Sequence, residues 1–314
     1  MAKFYMMVGV PGSGKSYIAN HRLKGTVVSS DAIRAELYGS EDDQDHNGEV
    51  FNELHKRIHA LLNEGKDAIY DATNLSRKRR KNFLKELPAG VEKIAVIAAT
   101  ELDVILRQNS ERTRVVPEEV IMRMFKQMSL PRLDEGWDNI MLLAHDANKK
   151  TLGEYLYDAH GVDHDNPHHS ANIFEHMVEA GSYANAHADE AGLTKDEKHL
   201  ARMAALFHDI GKPLVKSRMK MNGQMDDKSH YYNHAEVGAY MMACCANQFT
   251  SKMHETLLAM IILTQWHMDF FANTNSGGEK DDNTGDVLER FEALYGERMR
   301  KVFELVHEAD LNAH

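Results

Sequence analysis

The chain has very few cysteines and no long apolar segment, and each shortage excludes a class of protein. Only Cys244 and Cys245 occur among its 314 residues. Because they are neighbours in sequence, they cannot form the long-range disulfide framework of a small secreted scaffold, and we expect a reducing cytoplasm. No apolar run reaches the ~18 residues that a membrane span needs. The short apolar N-terminus does not have the pattern of a signal peptide, so we expect no membrane partner.

The chain also lacks an excess of basic residues, since its net charge is −11. The two halves nevertheless differ. Residues 1–150 carry 23 Lys and Arg against 22 Asp and Glu, whereas residues 151–314 carry 14 against 26 and hold 14 of the 19 histidines. The first half is therefore balanced and has basic clusters. The second half is rich in the carboxylates and imidazoles that bind divalent metals, which indicates two different chemistries.

Neither an internal repeat nor a long low-complexity segment is present, and the pattern of the chain divides it into two domains. Residues 1–150 alternate strands with helices, which predicts an α/β domain with a parallel sheet flanked by helices. From about residue 140 helical periodicity dominates, so residues 151–314 are predicted to form an all-α domain whose last helical segment covers 285–314. The polar stretch 145–168 is the predicted linker, and we expect His168 and His169 to serve as capping or linker residues.

The first strand runs directly into a glycine-rich phosphate loop of the form G-x-x-x-x-G-K-S. Glycines let successive backbone N–H groups turn towards phosphate oxygens, and the following helix adds the positive end of its dipole. In this pattern Lys15 reaches the β- and γ-phosphates of ATP, and Ser16 coordinates Mg²⁺. The predicted ATP and Mg²⁺ site consists of Gly9, Gly12, Ser13, Gly14, Lys15 and Ser16.

Acidic and basic residues follow the second and third predicted strands, where the carboxyl ends of parallel strands face a ligand crevice. Asp31 can take a proton from an attacking hydroxyl, and Arg34 can bind a phosphate. A helix-capping aspartate with a surface arginine is the competing interpretation. Asp71 and Thr73 are candidates for binding the acceptor. For Asp71 a second-shell Mg²⁺ carboxylate, an acceptor-site carboxylate and a helix N-cap are all consistent with the sequence.

Two basic clusters come next. The run 77–81 is ordinarily a solvated helix face, but positive charge in a first helical turn opposes the helix dipole, which favours a phosphate partner. Arg107, Arg112 and Arg114 surround a connection between two helices. Since phosphoryl transfer depends on positioning and charge stabilisation, we expect Arg112 to act from an arginine lid over the γ-phosphate. For Arg107 and Arg114 a solvated basic loop is the competing interpretation.

The stretches GVPGSGKS, SSDAIR, ATNLSRKRR and RQNSERTRVVPEEVIMRMFKQM together resemble the phage-type polynucleotide 5′-kinases over residues 3–130. The resemblance implies that Asp31 is the general base for the 5′-hydroxyl. It also implies that Arg34 binds the 3′-phosphate of the acceptor nucleotide and that Arg112 contacts the donor phosphates. Some members have an aspartate directly before the Thr-Asn pair, where this chain has Ala72, so the role of Asp71 stays open.

The second half contains a His-Asp doublet, His208 and Asp209, with further histidines and an aspartate on distant helical segments. If four or more helices converge, these groups can bind Mn, Fe, Co, Ni or Zn. Two such ions can activate a water and bind the leaving oxygen of a phosphate ester. For His176 taken alone, a satisfied core histidine is the competing interpretation. The further candidates are His176, His234, His267 and Asp310.

This spaced set resembles the HD phosphohydrolase superfamily over residues 160–314, and DNPHHSANIFEHM is similar to HD domains of CCA-adding tRNA enzymes. The resemblance implies a metal site, a second-metal pair and a lysine that meets a phosphate oxygen. The implied ligands are His176, His208, Asp209 and Asp310 for the first metal and His234 and His267 for the second, and the implied phosphate contact is Lys212.

The two resemblances together predict a bifunctional enzyme that heals nucleic-acid ends, with RNA as the expected polymer. It would phosphorylate 5′-hydroxyl ends with ATP and Mg²⁺, remove 2′,3′-cyclic, 2′- or 3′-phosphate, and act before a ligase. Three alternatives remain open. The chain could be a small-molecule kinase fused to an HD nucleotidase or phosphodiesterase, it could carry a metal-free HD scaffold, or it could be a nucleotide-gated binding module without turnover.

Overall fold

A computed structural model describes residues 1–163, 165, 172–271 and 284–313. These residues form two compact units, Met1–Asn148 and Lys149–His314, and each is described by itself. The predicted linker at 145–168 contains a short helix, and the predicted linker residues His168 and His169 lie outside the described residues. Most of the stretch DNPHHSA, which supported the second resemblance, lies outside them as well.

Unit 1 is built on a five-stranded parallel sheet in the order β2-β3-β1-β4-β5. The strands are β1 Lys3–Val8, β2 Thr26–Ser29, β3 Ala68–Asp71, β4 Glu92–Ala99 and β5 Asn139–Ala144. The predicted parallel sheet is thereby confirmed, with one addition. The sequence did not predict β5, because its six residues are an apolar run too short for periodicity to distinguish strand from helix.

Six helices connect the strands of unit 1 and cover both faces of the sheet. They are α1 Lys15–His21, α2 Ser30–Tyr38, α3 Asn47–Asn63, α4 Arg77–Glu86, α5 Leu102–Ser110 and α6 Glu118–Lys126. Alternate residues of β1 supply the two cores, since Phe4 and Met6 lie in one and Met7 in the other. Strand β1 is central in the sheet, so the loop that follows it lies in the middle of the sheet's carboxyl edge.

Unit 2 is mostly helical, as predicted. Its helices are α7 Leu152–Tyr157, α8 Ile173–His187, α9 Lys195–Phe207, α10 Lys212–Val215, α11 His234–Cys244, α12 Ser251–Trp266, α13 Thr284–Tyr295 and α14 Glu297–Asn312. The last predicted segment is in fact two helices, since Gly296, at φ 85, separates α13 from α14. None of the helices in the described ranges has both the length and the hydropathy to cross a bilayer.

Unit 2 also contains an antiparallel hairpin that an all-α prediction does not include. Strand β6, Ser217–Met219, pairs with β7, Met225–His230. The pair Asn222-Gly223 in the connection is a strong hairpin signal, and Gly223 has a φ of 84. The flanking residues alternate charged with methionine rather than polar with β-branched side chains, so the strand pattern is weak.

Candidate active sites

The phosphate loop between β1 and α1 depends on glycine for both its conformation and its packing. Gly12 and Gly14 have φ values of 83 and 80, in the left-handed region that other residues avoid. A Cβ at Gly12 would lie 2.8 Å from the carbonyl oxygen of Ile105. The Thr100 hydroxyl donates a hydrogen bond to the Ser13 carbonyl, at 3.0 Å. The loop is therefore held in shape, with the start of α1 directed at an anion site.

Lys15 folds back over this loop, and its Nζ donates to the Val10 carbonyl at 2.8 Å. The side chain is buried, and burial lowers its pKa to about 8, although the nearby carboxylates of Asp71 and Asp31 oppose that effect. Arg112 lowers the pKa of Lys15 further. An anionic ligand in the loop would stabilise the ammonium form, which is the electrostatic property that a phosphate-binding lysine requires.

Asp71, at the end of β3, lies against the first turn of α1. The Ser16 hydroxyl donates to its Oδ2 at 2.8 Å. The N-cap interpretation of Asp71 is wrong, because the N-cap of α4 is Ser76, whose hydroxyl accepts from the Arg79 backbone at 3.4 Å. Burial raises the pKa of Asp71, while the Ser16 hydrogen bond and Lys15 lower it. Hydroxyl and carboxylate oxygens are ligands that suit Mg²⁺, so this pair fits the predicted ion.

Asp31 and Arg34 form a hydrogen-bonded pair on α2. Ser29 is the N-cap of that helix, so Asp31 does not serve as the cap. Arg34 is only 6% exposed, and its Nη1 donates to Asp31 Oδ1 at 2.8 Å. Its Nη2 donates to Asn47 Oδ1 at 2.6 Å. The competing interpretation, a capping aspartate with a surface arginine, is therefore contradicted for both residues.

These groups share one cavity of about 730 Å³ with the phosphate loop. Arg112, Arg114 and Thr73 also line it. Arg114 also lies beside Asp31, with its Nη1 3.5 Å from Oδ1, and it contacts Asp42 as well. The sequence left Arg114 undecided and did not single out Asn47, because contacts between separate elements have no local signal. Arg107 belongs to α5 and is not among the residues that line the cavity.

The basic run on α4 divides into structural and exposed residues. Arg80 is 1% exposed, and its Nε and Nη2 donate to the two oxygens of Glu135 at 2.8 and 2.6 Å. It also donates to the carbonyls of Ser129 and Leu130. Arg80 therefore ties α4 to the chain that follows α6, and its guanidinium is already paired with the Glu135 carboxylate. Arg79, by contrast, is exposed.

Unit 2 brings the six predicted metal-binding residues together from five parts of the fold. They form two groups that share one residue, and within each group the ligand atoms all lie within 4.8 Å of one another. The first group is His176 on α8, His208 and Asp209 after α9, and Asp310 on α14; the second is Asp209, His234 on α11 and His267 after α12. A capping box between Asn172 and Glu175 fixes the start of α8 one turn before His176.

Hydrogen bonds define the tautomer of all four histidines. Each Nδ1 lies 2.6 to 3.3 Å from a backbone carbonyl oxygen, which can only accept a hydrogen bond. When the rings are neutral, the proton is therefore on Nδ1 and the lone pair of Nε2 points into the cluster, the arrangement of metal-binding histidines. His176 Nε2 lies 3.3 Å from His208 Nε2, and His234 Nε2 lies 3.1 Å from His267 Nε2. Each such pair can be bridged by a proton or by a metal ion.

Asp209 connects the two groups. Its Oδ2 lies 3.1 Å from His208 Nε2, and its Oδ1 lies 3.1 Å from His234 Nε2. The carboxylate is buried, and neither oxygen accepts a well-aligned hydrogen bond from any residue in the described ranges. Lys212, one turn later, contacts Oδ2 with its ammonium group. Two divalent ions that share a carboxylate would satisfy these oxygens, so the residues present fit such ions.

The doublet can meet α11 because Gly211 has no side chain. A Cβ at Gly211 would lie 2.1 Å from the His234 carbonyl oxygen and 2.7 Å from the Gly238 nitrogen. The glycine therefore permits a backbone contact that brings His234 beside Asp209. No local sequence signal distinguishes Gly211, because the need for a glycine there arises only from the neighbouring helix.

The charged groups of this cluster shift one another's pKa values. Burial lowers the pKa of His208, but the carboxylates of Asp209 and Asp310 outweigh that effect and raise it to about 10. Burial, together with positive charge on His234 and His208, lowers the pKa of His267 to about 3. Without metal, a proton on His208 therefore offsets part of the negative charge of the two carboxylates, and the Lys212 ammonium at Asp209 offsets more of it. A divalent ion would replace that proton, because metal ligands must be deprotonated.

Comparisons with known proteins match the same two parts of the chain. Residues 4–131 match the family model of an AAA domain, and residues 173–302 match that of an HD domain. No curated protein matches the chain. The chain therefore combines a P-loop domain on a parallel five-stranded sheet with a mostly helical HD domain that holds a His/Asp cluster able to bind metal.

Several solved structures are similar to parts of the chain. One is the Pnkp1/Rnl/Hen1 RNA repair complex, with 21% identity and a TM-score of 0.37 over 40% of this chain and 43% of that one. A second structure of the Pnkp1/Rnl/Hen1 complex has 18% identity and a TM-score of 0.33 over 48% and 49%. A gluconokinase from Sinorhizobium meliloti 1021 has 17% identity and a TM-score of 0.33 over 44% and 80%. The chain covers less than half of each of the first two.

Proposed function

We propose that this chain, a P-loop domain followed by an HD domain, is a bifunctional enzyme that heals nucleic-acid ends. The P-loop domain transfers the γ-phosphoryl group of ATP to a 5′-hydroxyl end. The HD domain hydrolyses 2′,3′-cyclic, 2′- or 3′-phosphate at the other end. Breaks made by many ribonucleases carry this pair of ends, whereas a ligase needs a 5′-phosphate and a 3′-hydroxyl. We therefore propose RNA as the polymer and a ligase as the enzyme that acts next.

The observation that carries the kinase assignment is the shared cavity above the phosphate loop. There Lys15 and Ser16 face the same space as Asp31 and Arg34. In the proposed reaction Asp31 accepts the proton of the 5′-hydroxyl while that oxygen attacks the γ-phosphorus. Lys15 and Arg112 stabilise the charge on the transferring group, and ADP leaves.

We assign acceptor binding to the two guanidinium groups beside Asp31, those of Arg34 and Arg114. Arg34 is held by Asp31 and Asn47, so it is already oriented for a phosphate next to the attacking hydroxyl. Arg114 adds a second positive charge beside Asp31. Ser16 and Asp71 hold Mg²⁺, directly or through water.

In the HD domain the two ligand groups hold one or two divalent transition ions. Such ions supply Lewis acidity and lower the pKa of a water molecule. His176, His208 and Asp310 would hold the first ion, and Asp209, which belongs to both groups, would be a ligand shared with the second. Lys212 lies at the same carboxylate and is placed to meet a phosphate oxygen of the substrate.

The decisive experiment follows both ends of one RNA. A fragment with a 5′-hydroxyl and a 2′,3′-cyclic phosphate is incubated with radiolabelled ATP, Mg²⁺ and a panel of transition ions, and both ends are analysed. We expect Lys15→Ala and Asp31→Asn to abolish 5′ labelling and to leave 3′-end hydrolysis intact. Asp45→Asn changes an exposed carboxylate that follows the cavity-lining Gln44, and it serves as the matched control that should keep both activities.

A parallel set of variants tests the HD domain. We expect His208→Ala and Asp209→Ala to abolish 3′-end hydrolysis and to leave 5′ labelling intact. His199→Ala, an exposed histidine on α9, is the matched control. Loss of both activities in either single-site variant would refute the two-site assignment.

The open alternatives predict other outcomes of the same experiment. A small-molecule kinase would transfer label to a sugar or nucleoside but not to RNA. A metal-free HD scaffold would contain no transition ion on elemental analysis, and a binding module would show no turnover at all with Mg²⁺ or Mn²⁺.

A further inference from the structure

The loop between α5 and α6, residues 111–117, carries two arginines that line the cavity above the phosphate loop. Arg114 is held in place by ion pairs with Asp31 and Asp42. Arg112 lies close enough to Lys15 to lower its pKa, yet it forms no ion pair with any residue in the described ranges. The position of the Arg112 guanidinium therefore depends on the backbone that carries it.

One side chain closes this loop. Asn109, in the last turn of α5, is only 4% exposed. Its Nδ2 donates to the Val116 carbonyl at 2.8 Å, and its Oδ1 accepts from the Val116 N–H at 3.0 Å. Because a backbone N–H only donates and a carbonyl only accepts, the two bonds also define the orientation of the amide. The Asn109 side chain thus pairs with both backbone polar groups of Val116.

Asn109 also connects the loop to the phosphate loop. Its own carbonyl accepts from the Arg112 N–H at 3.2 Å, so it contacts the backbone on both sides of the arginines. A Cβ at Gly12 would lie 3.4 Å from the Cβ of Asn109, which places the asparagine directly against the phosphate loop. Asn109 itself is not among the residues that line the cavity. It can therefore set the position of Arg112 without touching a nucleotide.

The far end of the loop is fixed by α6. Pro117 is the N-cap of that helix, and its carbonyl accepts from the N–H groups of Val120 and Ile121 at 3.0 and 3.2 Å. Val116 is thus the last loop residue before a regular helix begins. Its pairing with Asn109 joins the end of α5 to the start of α6, and the backbone that carries Arg112 lies between these two fixed points.

We propose that Asn109 is a positioning residue for phosphoryl transfer, whose side-chain amide holds the backbone of the loop so that Arg112 meets the transferring phosphoryl group. This inference rests on the proposed 5′-kinase activity and adds to it a residue that contacts neither substrate. Phosphoryl transfer depends on the placement of cations, and a displacement of about 1 Å can cost about 100-fold in rate. Loss of the pairing should therefore lower kcat more than it weakens the binding of ATP.

The kinetic test is a double-mutant cycle in the full chain, with a 5′-hydroxyl RNA as acceptor. We expect Asn109→Ala to lower kcat by about 10- to 100-fold and to change the Kd of ATP by less than about threefold. If the amide acts through Arg112, adding Asn109→Ala to Arg112→Ala should lower kcat by less than about threefold further. A residue that only stabilises the fold would not show this dependence on Arg112.

Ser110→Ala is the matched control. Ser110 is the exposed neighbour of Asn109 on α5, and its hydroxyl bonds to the Arg107 carbonyl at 2.7 Å. We expect this variant to keep the kcat of the wild-type chain. Asn109→Asp is a second test variant that preserves the size of the side chain. It keeps an acceptor for the Val116 N–H but turns an oxygen towards the Val116 carbonyl, so we expect a loss of kcat similar to that in Asn109→Ala.

Hydrogen exchange measures the pairing without any activity. We expect the Val116 amide to exchange about tenfold faster in Asn109→Ala than in the wild-type chain, because its acceptor is lost. In Asn109→Asp the repulsion at the Val116 carbonyl should accelerate the same amide. The backbone amides of β1 and β4 should keep their wild-type protection in both variants, which verifies that unit 1 is folded.

The outcomes that overturn the positioning role differ from those that overturn the kinase. Unchanged exchange at Val116 in both Asn109 variants would refute the role of the pairing, and so would losses of kcat that multiply in the double variant. Either result leaves the 5′-kinase in place. Absence of phosphoryl transfer to RNA by the wild-type chain would remove the kinase and the positioning role together.

Discussion

Replacing Gly211 with alanine tests whether a single close backbone contact assembles the second ligand group. The added Cβ would lie 2.1 Å from the His234 carbonyl oxygen. Because that atom belongs to the backbone, it cannot rotate away, and α11 must shift by about 1 Å to restore van der Waals distance. His234 is the first residue of α11, and its Nε2 lies 3.1 Å from Asp209 Oδ1. The same shift moves this imidazole away from the shared carboxylate.

We expect the wild-type chain to bind two transition ions and the Gly211→Ala variant to retain one. The dissociation constant for the second ion should rise by at least about 100-fold, because a ligand is displaced and ligand orientation alone is worth 10–100-fold. The first ion should remain, since His176, His208 and Asp310 come from other helices. Overpacking at this position should also lower the free energy of unfolding by about 1–3 kcal/mol.

The assay is elemental analysis of the purified chain after dialysis against a fixed concentration of Mn²⁺ or Zn²⁺, with thermal unfolding to verify the fold. Gly153→Ala is the matched control, because a Cβ there would meet nothing nearer than the Thr151 hydroxyl, 3.9 Å away. His267→Ala should reproduce the loss of one ion. Two ions bound with unchanged affinity in Gly211→Ala would refute the reasoning, and so would a wild-type chain that binds only one.

The remaining predictions concern unit 1. Since burial lowers the pKa of Lys15 to about 8 and bound phosphate should raise it, the affinity for ATP should fall as pH rises above 8. Calorimetry in two buffers should show uptake of about 0.8 proton per ATP at pH 8.5 and almost none at pH 7. Absence of proton uptake at pH 8.5 would contradict the phosphate-binding role of Lys15. Arg34→Ala should raise KM for the 5′-hydroxyl acceptor by about 10-fold or more while the Kd of ATP stays the same, whereas equal losses would contradict its role. Glu135→Ala should lower the free energy of unfolding in urea by about 3–5 kcal/mol, because it leaves the buried Arg80 without its carboxylate. Glu92→Ala, which breaks an exposed ion pair, should lower the free energy of unfolding by less than about 1 kcal/mol. If Glu135→Ala lowered it by no more than Glu92→Ala does, Arg80 would have to be solvated.

Much of the fold follows from local pattern. The alternation of short apolar runs with amphipathic helices predicts the parallel sheet, and the glycine-lysine-serine pattern predicts the phosphate loop. Helical periodicity predicts most of unit 2. The missed elements are β5, the hairpin of β6 and β7, and the break at Gly296. Each is short or ambiguous in sequence, and each depends on pairing or backbone conformation that neighbouring residues supply.

The residues of the candidate sites likewise divide into those that the sequence predicts and those whose role depends on tertiary contacts. Residue type and spacing pointed to Lys15, and together with the resemblance to the HD superfamily they pointed to the His208–Asp209 doublet and the distant Asp310. The role of Arg80 could not be read from sequence, because the carboxylate that neutralises it lies 55 residues away. The same holds for Arg114 and Asn47, whose partners Asp31 and Arg34 belong to another helix.

By itself, the sequence determined which chemical groups the chain possesses and the local backbone that carries them, because helix periodicity, glycine content and capping act over a few residues. Only the tertiary structure decided which of those groups meet. Nε2 atoms from four separate segments converge around Asp209, and Asp31 and Arg34 face Lys15, because packed helices and a parallel sheet bring distant residues within hydrogen-bond distance. Contacts of that kind depend on the whole fold, and no stretch of the chain encodes them alone.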